Sequence, residues 1–164
     1  MSGRSFLLLP ATSILFAGIF PIVLTVFWRH IRKIPYDIPD KDDRTFLLVV
    51  VIVSYLAGTI ALLDLHAPWL VTALMICYCT NTILVLVINL RWKISIHAMG
   101  TAGPMTAVIF AGGLPGLLFA GLLLPVMWSR VHLRRHTLAQ VVAGAALGFL
   151  LTGVQLFLMK PVLL

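Results

Sequence analysis

The pentapeptide GGLPG, residues 112–116, decides how this chain is expected to fold. It interrupts an apolar stretch, residues 98–128, that would form either one tilted helix of about 46 Å or two short helices of about 22 Å each. Glycines beside a proline, which donates no backbone hydrogen bond, favour a tight reversal over a continuous helix. The sequence therefore predicts two short spans here, residues 98–112 and 114–128.

The composition is that of a membrane protein. Of the 164 residues, 61% are hydrophobic and 10% are charged, which is outside the range of soluble domains. Several apolar runs approach the ~20 residues that a helix needs to cross the hydrocarbon core, and they lack the alternation of barrel strands. The first run ends in a basic cluster and not at a cleavage site, so we expect it to remain in the mature protein.

These features predict an all-α fold: a six-transmembrane-helix bundle with short loops. We expect residues 1–164 to form a single integral-membrane domain in a multi-pass protein of a bacterial or archaeal cell membrane. The predicted spans are 6–28, 46–64, 67–90, 98–112, 114–128 and 138–158.

Six spans would place three polar loops, residues 29–45, 91–97 and 129–137, on one side of the membrane. All Lys and Arg residues except Arg4 and Lys160 lie in these loops. The positive-inside rule would make that side cytoplasmic, but the inference weakens if the same arginines bind phosphate. Which side of the membrane carries these loops therefore stays undecided. With a net charge of +7 and no soluble domain, the expected partners are membrane lipids or phosphate and not nucleic acid.

The three loops carry cations or imidazoles close to predicted helix starts. A helix N-terminus attracts anions through its unpaired N–H groups, and arginine adds a forked donor that matches phosphate. The sequence therefore predicts a phosphate pocket. The segments concerned are DKDDRT (residues 40–45), RWKISIHAMG (residues 91–100) and SRVHLRRHTLAQ (residues 129–140).

Two of these segments resemble signatures of the type 2 phosphatidic acid phosphatase superfamily of integral-membrane lipid phosphatases. Ser129, Arg130 and His136 match its third signature, and Ser95 with His97 matches part of its second. The resemblance implies that His136 is the nucleophile that attacks phosphorus. It also implies that His97 protonates the departing lipid alkoxide or later activates water.

The resemblance further implies a phosphorylated lipid as substrate, such as a lipid phosphate or an isoprenoid diphosphate. No metal and no other cofactor is expected, and the oligomeric state stays open. Phosphate binding is expected from Arg130, Arg44, Ser95, Lys41 and Ser129.

The chain departs from the family pattern at Gln140, where the family places an aspartate that holds the nucleophilic histidine. Gln140 could accept a hydrogen bond from Nδ1–H of His136 and fix its tautomer, but it cannot neutralise positive charge on the ring. In the first signature, Lys41 is the candidate substitute for a missing lysine. That lysine position is held by Asp37, and Thr45 stands where the same signature has proline. In the second signature, Ile94 and Ile96 replace proline and glycine.

Two alternatives remain open. The chain could be a catalytically weak or inactive relative that binds or moves a lipid phosphate, which the glutamine at position 140 favours. It could also be a membrane scaffold without a site, whose arginines anchor a helix end in lipid headgroups. The spacing of Arg130 and His136 argues against the scaffold.

Overall fold

The structure, a computed structural model, describes the backbone of residues 3–33, 38 and 40–163. Every regular element in this part of the chain is helical, which confirms the all-α class. The helices cluster into two compact units, Met1–Leu86 and Val87–Leu164, and we describe each unit by itself. The expected single membrane domain stays a prediction.

The first unit begins with a long helical stretch that contains a short π-helical segment. Helix α1 (Gly3–Ile14) continues through a π-helical segment (Leu15–Ile19) into α2 (Phe20–Arg32). Helix α2 ends at Lys33, whose left-handed backbone conformation (φ 53°) stops the helix. Helices α3 (Lys41–Asp64) and α4 (Trp69–Asn89) follow.

The π-helical segment lies against α3. The Ser54 hydroxyl donates a hydrogen bond of 2.8 Å to the carbonyl of Phe16, so α3 supplies a partner for a backbone group inside the irregular turn. A Cβ at Gly58 would lie 2.6 Å from Cβ of Phe16. The close approach of the two helices therefore requires glycine at this position.

The second unit contains the reversal that the sequence predicts. Helix α5 (Ile96–Gly112) ends at Gly113, which has a φ of 62° and whose N–H donates to the carbonyl of Ile109 at 2.8 Å. A Cβ at Gly116 would lie 2.7 Å from Cα of Ile109, so the returning chain packs directly on the backbone of α5. The reversal is therefore confirmed. The returning stretch starts as a 3₁₀-helix (Leu114–Leu122) before α6 (Leu123–His132).

The last helix, α7 (Leu138–Leu163), packs closely on α5. Gly144 lies against the carbonyl oxygen of Ser95 with no space for a methyl group, and a Cβ at Gly148 would lie 2.6 Å from the carbonyl oxygen of Met99. The small residues that the sequence places along this helix thus let two backbones touch. At the same end of the unit, Leu123 and Met127 of α6 pack against a buried cluster, Ala98, Val141 and Ala145.

Four helices are long and apolar enough to cross a membrane, by length and composition. They are Leu7–Arg32, Lys41–Asp64, Trp69–Asn89 and Leu138–Lys160. Helix α5, with 17 residues, and the stretch Gly116–His132 are shorter. The chain therefore has the helices of a membrane protein.

Candidate functional site

The candidate site lies at one end of the second unit, where α5 begins, α6 ends and α7 begins. Two contacts join the loops there. The backbone N–H of Ser95 donates to the carbonyl of Gln140 at 3.2 Å, and Nδ1 of His136 lies 3.3 Å from the carbonyl oxygen of Lys93. The structure therefore brings together the segments 91–97 and 129–140, as the sequence predicts.

His97 lies near enough to Arg130 and His136 for their charges to act on its ring, and we call these three residues the cluster. Nearby protein atoms lower the pKa of the His97 imidazole below the ordinary 6.5 by displacing water, but the side chain is exposed to solvent, so this lowering is modest. The charges of Arg130 and His136 lower this pKa further. The neutral form of His97 is favoured as long as no anion is bound between these groups.

Arg130 lies in the last turn of α6 and is half-buried. Its Nε is buried and has no hydrogen-bond partner among the described residues. Its carbonyl accepts hydrogen bonds from the N–H groups of Arg135 (3.0 Å) and His136 (3.3 Å), which closes the connection to α7. A buried unpaired donor of this kind is a favourable place for an anionic oxygen.

Gln140 does not make the expected contact with His136. Its Oε1 accepts a hydrogen bond of 3.0 Å from the N–H of Thr137, and its own N–H donates to Oγ1 of Thr137 at 3.3 Å. This reciprocal pair is a capping box, and it holds the start of α7. The hydrogen bond to His136 that Gln140 could have made is not among its contacts, and the carbonyl oxygen of Lys93 lies near Nδ1 of His136.

The two serines that were expected to bind phosphate are engaged in local structure. Ser95 is fully buried (0% exposed) and caps α5, because its hydroxyl oxygen accepts a hydrogen bond of 3.4 Å from the N–H of Ala98. The Ser129 hydroxyl donates to the carbonyl of Val126 at 2.8 Å. Both side chains thus shape the ends of helices beside the cluster.

Lys41 and Arg44 belong to the other unit, at the start of α3. Lys41 is exposed, and Nη1 of Arg44 donates to the carbonyl of Ile38 at 3.4 Å. Their part in phosphate binding stays a prediction. Asp37, the mismatch in the same signature, lies outside the described residues.

The roles of the acidic residues near α3 were not predicted from the sequence. Asp40 caps this helix by accepting from the N–H groups of Asp42 (2.7 Å) and Asp43 (3.1 Å), and the bonds from Asp43 and then Asp42 lower the pKa of its carboxyl. Asp43 accepts a hydrogen bond of 3.0 Å from Trp28 and pairs with Arg32 at 3.6 Å. Aspartates directly before an apolar run are an N-cap signal that could have been found.

Two further features of the site differ in how far the sequence could reveal them. Thr137 and Gln140 have the spacing of a capping box, so their pairing was predictable. The contact of Lys93 with His136 uses a backbone carbonyl, which every residue has, so no side-chain pattern could indicate it.

Across the described residues, no group of three His, Cys, Asp or Glu side chains could hold a metal ion.

Comparisons of the chain with protein-family models, with curated proteins and with solved structures found no match. The resemblance to the type 2 phosphatidic acid phosphatase superfamily therefore stays a prediction. The residues that carry it are Ser95, His97, Ser129, Arg130 and His136.

Proposed function

We propose that the cluster of His97, Arg130 and His136 binds the phosphate group of a lipid and hydrolyses the bond that joins this group to the lipid, without a metal. The observation that carries this proposal is the convergence of two imidazoles and a guanidinium whose buried Nε has no partner among the described residues. Phosphoryl transfer through a histidine requires a nucleophile, a proton donor and a positive charge beside the phosphoryl oxygens, and these three side chains can supply them.

A lipid fits this site better than a water-soluble phosphate ester because exposed apolar side chains lie among the polar residues around the cluster. Trp128, Leu133 and Leu138 are 65%, 56% and 64% exposed. They flank Arg130 and His136 in the sequence and lie at the ends of α6 and α7. A phosphate ester with an apolar tail would cover such side chains as its headgroup entered the cluster.

The reaction takes place in two steps. Nε2 of His136 attacks phosphorus, the bond between phosphorus and the ester oxygen breaks, and the leaving alkoxide takes a proton from His97. A water molecule then attacks phosphorus and gives a proton to His97 as the bond to Nε2 breaks. The products are inorganic phosphate and a lipid alcohol, or a lipid monophosphate when the substrate is a diphosphate, and Arg130 balances charge on the phosphoryl oxygens in both steps.

His97 must be protonated to act as the acid, although its pKa is lowered in the free protein. A bound phosphate dianion brings two negative charges close to the ring and raises this pKa. Substrate binding therefore takes up a proton and prepares the acid.

Binding without hydrolysis is the second candidate, and Gln140 favours it. Its side chain is neutral and caps α7, so it places no carboxylate beside His136. Positive charge that develops on the ring during attack is then less well balanced. Such a protein would hold or move a lipid phosphate through the same cluster.

Phosphate release from phosphatidic acid and from an isoprenoid diphosphate in detergent micelles tests the enzymatic proposal. We expect His136→Ala to lower release by at least about 10³-fold, since it removes the nucleophile. His132→Ala is the matched control, because His132 lies in the same region and stacks on Trp128 at 4.6 Å. Equal rates for His136→Ala and wild type would refute the assignment, and phosphate binding without release would favour the second candidate.

We also propose that α5 and the returning stretch 114–132 complete six membrane spans. Single cysteines at Arg91, Gly112 and Arg134, in a background with Cys77→Ser and Cys79→Ser, would report their faces by labelling with a membrane-impermeant reagent. We expect positions 91 and 134 to react from one side and position 112 from the other. Labelling of all three from one side would show that this hairpin does not cross the membrane.

A further inference from the structure

We infer that the backbone carbonyl of Lys93, and not the side chain of Gln140, orients His136 for reaction. This inference rests on the proposed function, because it assigns the positioning group of the proposed nucleophile. A carboxylate usually fills such a role, and here the group is a neutral backbone oxygen from the connection before α5.

The chemistry of the contact fixes the tautomer of the ring. A carbonyl oxygen accepts hydrogen bonds and cannot donate one, so the atom facing it must carry a proton. Nδ1 of His136 lies 3.3 Å from the Lys93 oxygen and is therefore the protonated nitrogen. The lone pair of the neutral ring then resides on Nε2, the nitrogen that attacks phosphorus in the proposed reaction.

The Lys93 carbonyl is held in place by the residues that follow it. Ile94 is almost fully buried (1% exposed), and Ser95 is fully buried and caps α5. The N–H of Ser95 donates to the carbonyl of Gln140, and Gly144 packs against the carbonyl of Ser95. A backbone segment fixed by burial, a cap and a bond to the next helix can orient a ring as firmly as a side chain does.

The backbone of His136 is also held in place, by hydrogen bonds within its own loop and at the start of α7. Its N–H donates to the carbonyl of Arg130 at 3.3 Å, and the next residue, Thr137, donates its N–H to Oε1 of Gln140 at 3.0 Å. Gln140 thus acts on the loop through the capping box. Its loss should loosen the start of α7 without changing which ring nitrogen carries the proton.

Nitrogen-15 NMR of labelled histidines in the full chain, purified in detergent, tests this inference directly. At a pH where the ring is neutral, we expect the His136 spectrum to show protonated Nδ1 and unprotonated Nε2. We expect the same tautomer in Gln140→Leu, which removes the capping oxygen, and in Gln140→Glu, which keeps a capping box and protects against loss of folding. Protonated Nε2 in wild type, or a change of tautomer in Gln140→Glu, would overturn the inference.

An ester in place of the peptide bond between residues 93 and 94 provides the positive test, because an ester carbonyl is a weaker acceptor. We expect the fraction with protonated Nδ1 to fall and phosphate release to drop by about tenfold to a hundredfold, as for other lost orienting partners. An ester between residues 100 and 101, inside α5, is the control and should leave the tautomer unchanged. An unaltered tautomer with the 93–94 ester would contradict the inference.

The NMR readout separates this inference from the proposed function. If wild type shows protonated Nδ1 at His136 but releases no phosphate from any lipid, the positioning by Lys93 stands and the enzymatic proposal fails. If phosphate is released while Nε2 carries the proton, the enzymatic proposal stands and the positioning by Lys93 is wrong.

Discussion

At the scale of single residues, His97 links the site to pH. Its charged form is disfavoured in the free protein because the surrounding atoms displace water and because Arg130 and His136 are close, so its pKa lies below 6.5. The unfolded chain then binds more protons than the folded chain as the pH falls below 6.5, and the free protein loses stability in that range. An anion reverses this effect, because it favours the protonated ring.

Anion binding should therefore weaken as the pH rises. We expect the affinity for sulfate, whose charge is constant between about pH 5.5 and pH 8, to fall by up to about tenfold per pH unit above the pKa of free His97. A tenfold change per pH unit corresponds to one proton taken up on binding. His97→Gln should abolish this uptake and flatten the pH dependence, and His132→Gln should leave it unchanged. Calorimetric titration across this range measures the slope, and equal slopes for His97→Gln and wild type would remove His97 from the anion site.

The sequence indicated the roles of some residues of the candidate site and not those of others. The spacing of Arg130 and His136 selected these residues, and the structure joins their loop to the start of α5, while their part in binding phosphate stays a prediction. Ser95 and Gln140 were selected by the same resemblance, yet the structure uses their side chains as helix caps. A polar side chain at a helix start can serve either the helix or a ligand, and only the local backbone geometry decides between these roles.

At the scale of helices, the contact between α5 and α7 positions the site. Gly144 and Gly148 allow the backbones of the two helices to touch close to Ser95 and Met99. This contact sets the distance between the start of α5, which carries His97, and the loop that carries His136. Glycine here therefore has a structural function that its low helix propensity would not suggest.

A methyl group at this contact should disturb the unit. We expect Gly144→Ala to lower the free energy of unfolding by about 1 to 3 kcal/mol, as overpacking does. Gly153→Ala on the same helix is the control: its Cβ would meet Thr106 at an ordinary 3.6 Å, and alanine favours helix, so its stability should be equal or slightly higher. Thermal unfolding in detergent measures both variants, and equal stability for the two would show that the close contact is not required.

Helix types and lengths were harder to predict than the reversal. The glycines and proline of residues 112–116 indicated the turn, which follows from backbone sterics alone. The π-helical segment Leu15–Ile19 is supported by a contact with a neighbouring helix, the hydrogen bond from Ser54 to Phe16, and the sequence predicted neither this segment nor the 3₁₀ conformation of Leu114–Leu122. Such tertiary effects have no simple signature in an apolar sequence.

At the scale of the whole molecule, the candidate cluster lies within the second unit, Val87–Leu164. Its reversal places the start of α5, the end of α6 and the start of α7 at one end, and the three residues of the cluster come from these places. The composition predicted an apolar helical protein, and four helices have the length and composition of membrane spans. Hydrophobicity could not reveal the cluster, because it arises from short polar loops between these helices.

The central claim is that one phosphate group contacts His97, Arg130 and His136 together. The most direct measurement is a titration of ¹⁵N-histidine-labelled protein in detergent with a short-chain phosphatidic acid. We predict that the His97 and His136 resonances shift together with a single dissociation constant, that His132 shifts little, and that Arg130→Gln weakens binding by at least about tenfold. Shifts confined to one of the two histidines, or equal affinity in Arg130→Gln and wild type, would contradict the claim.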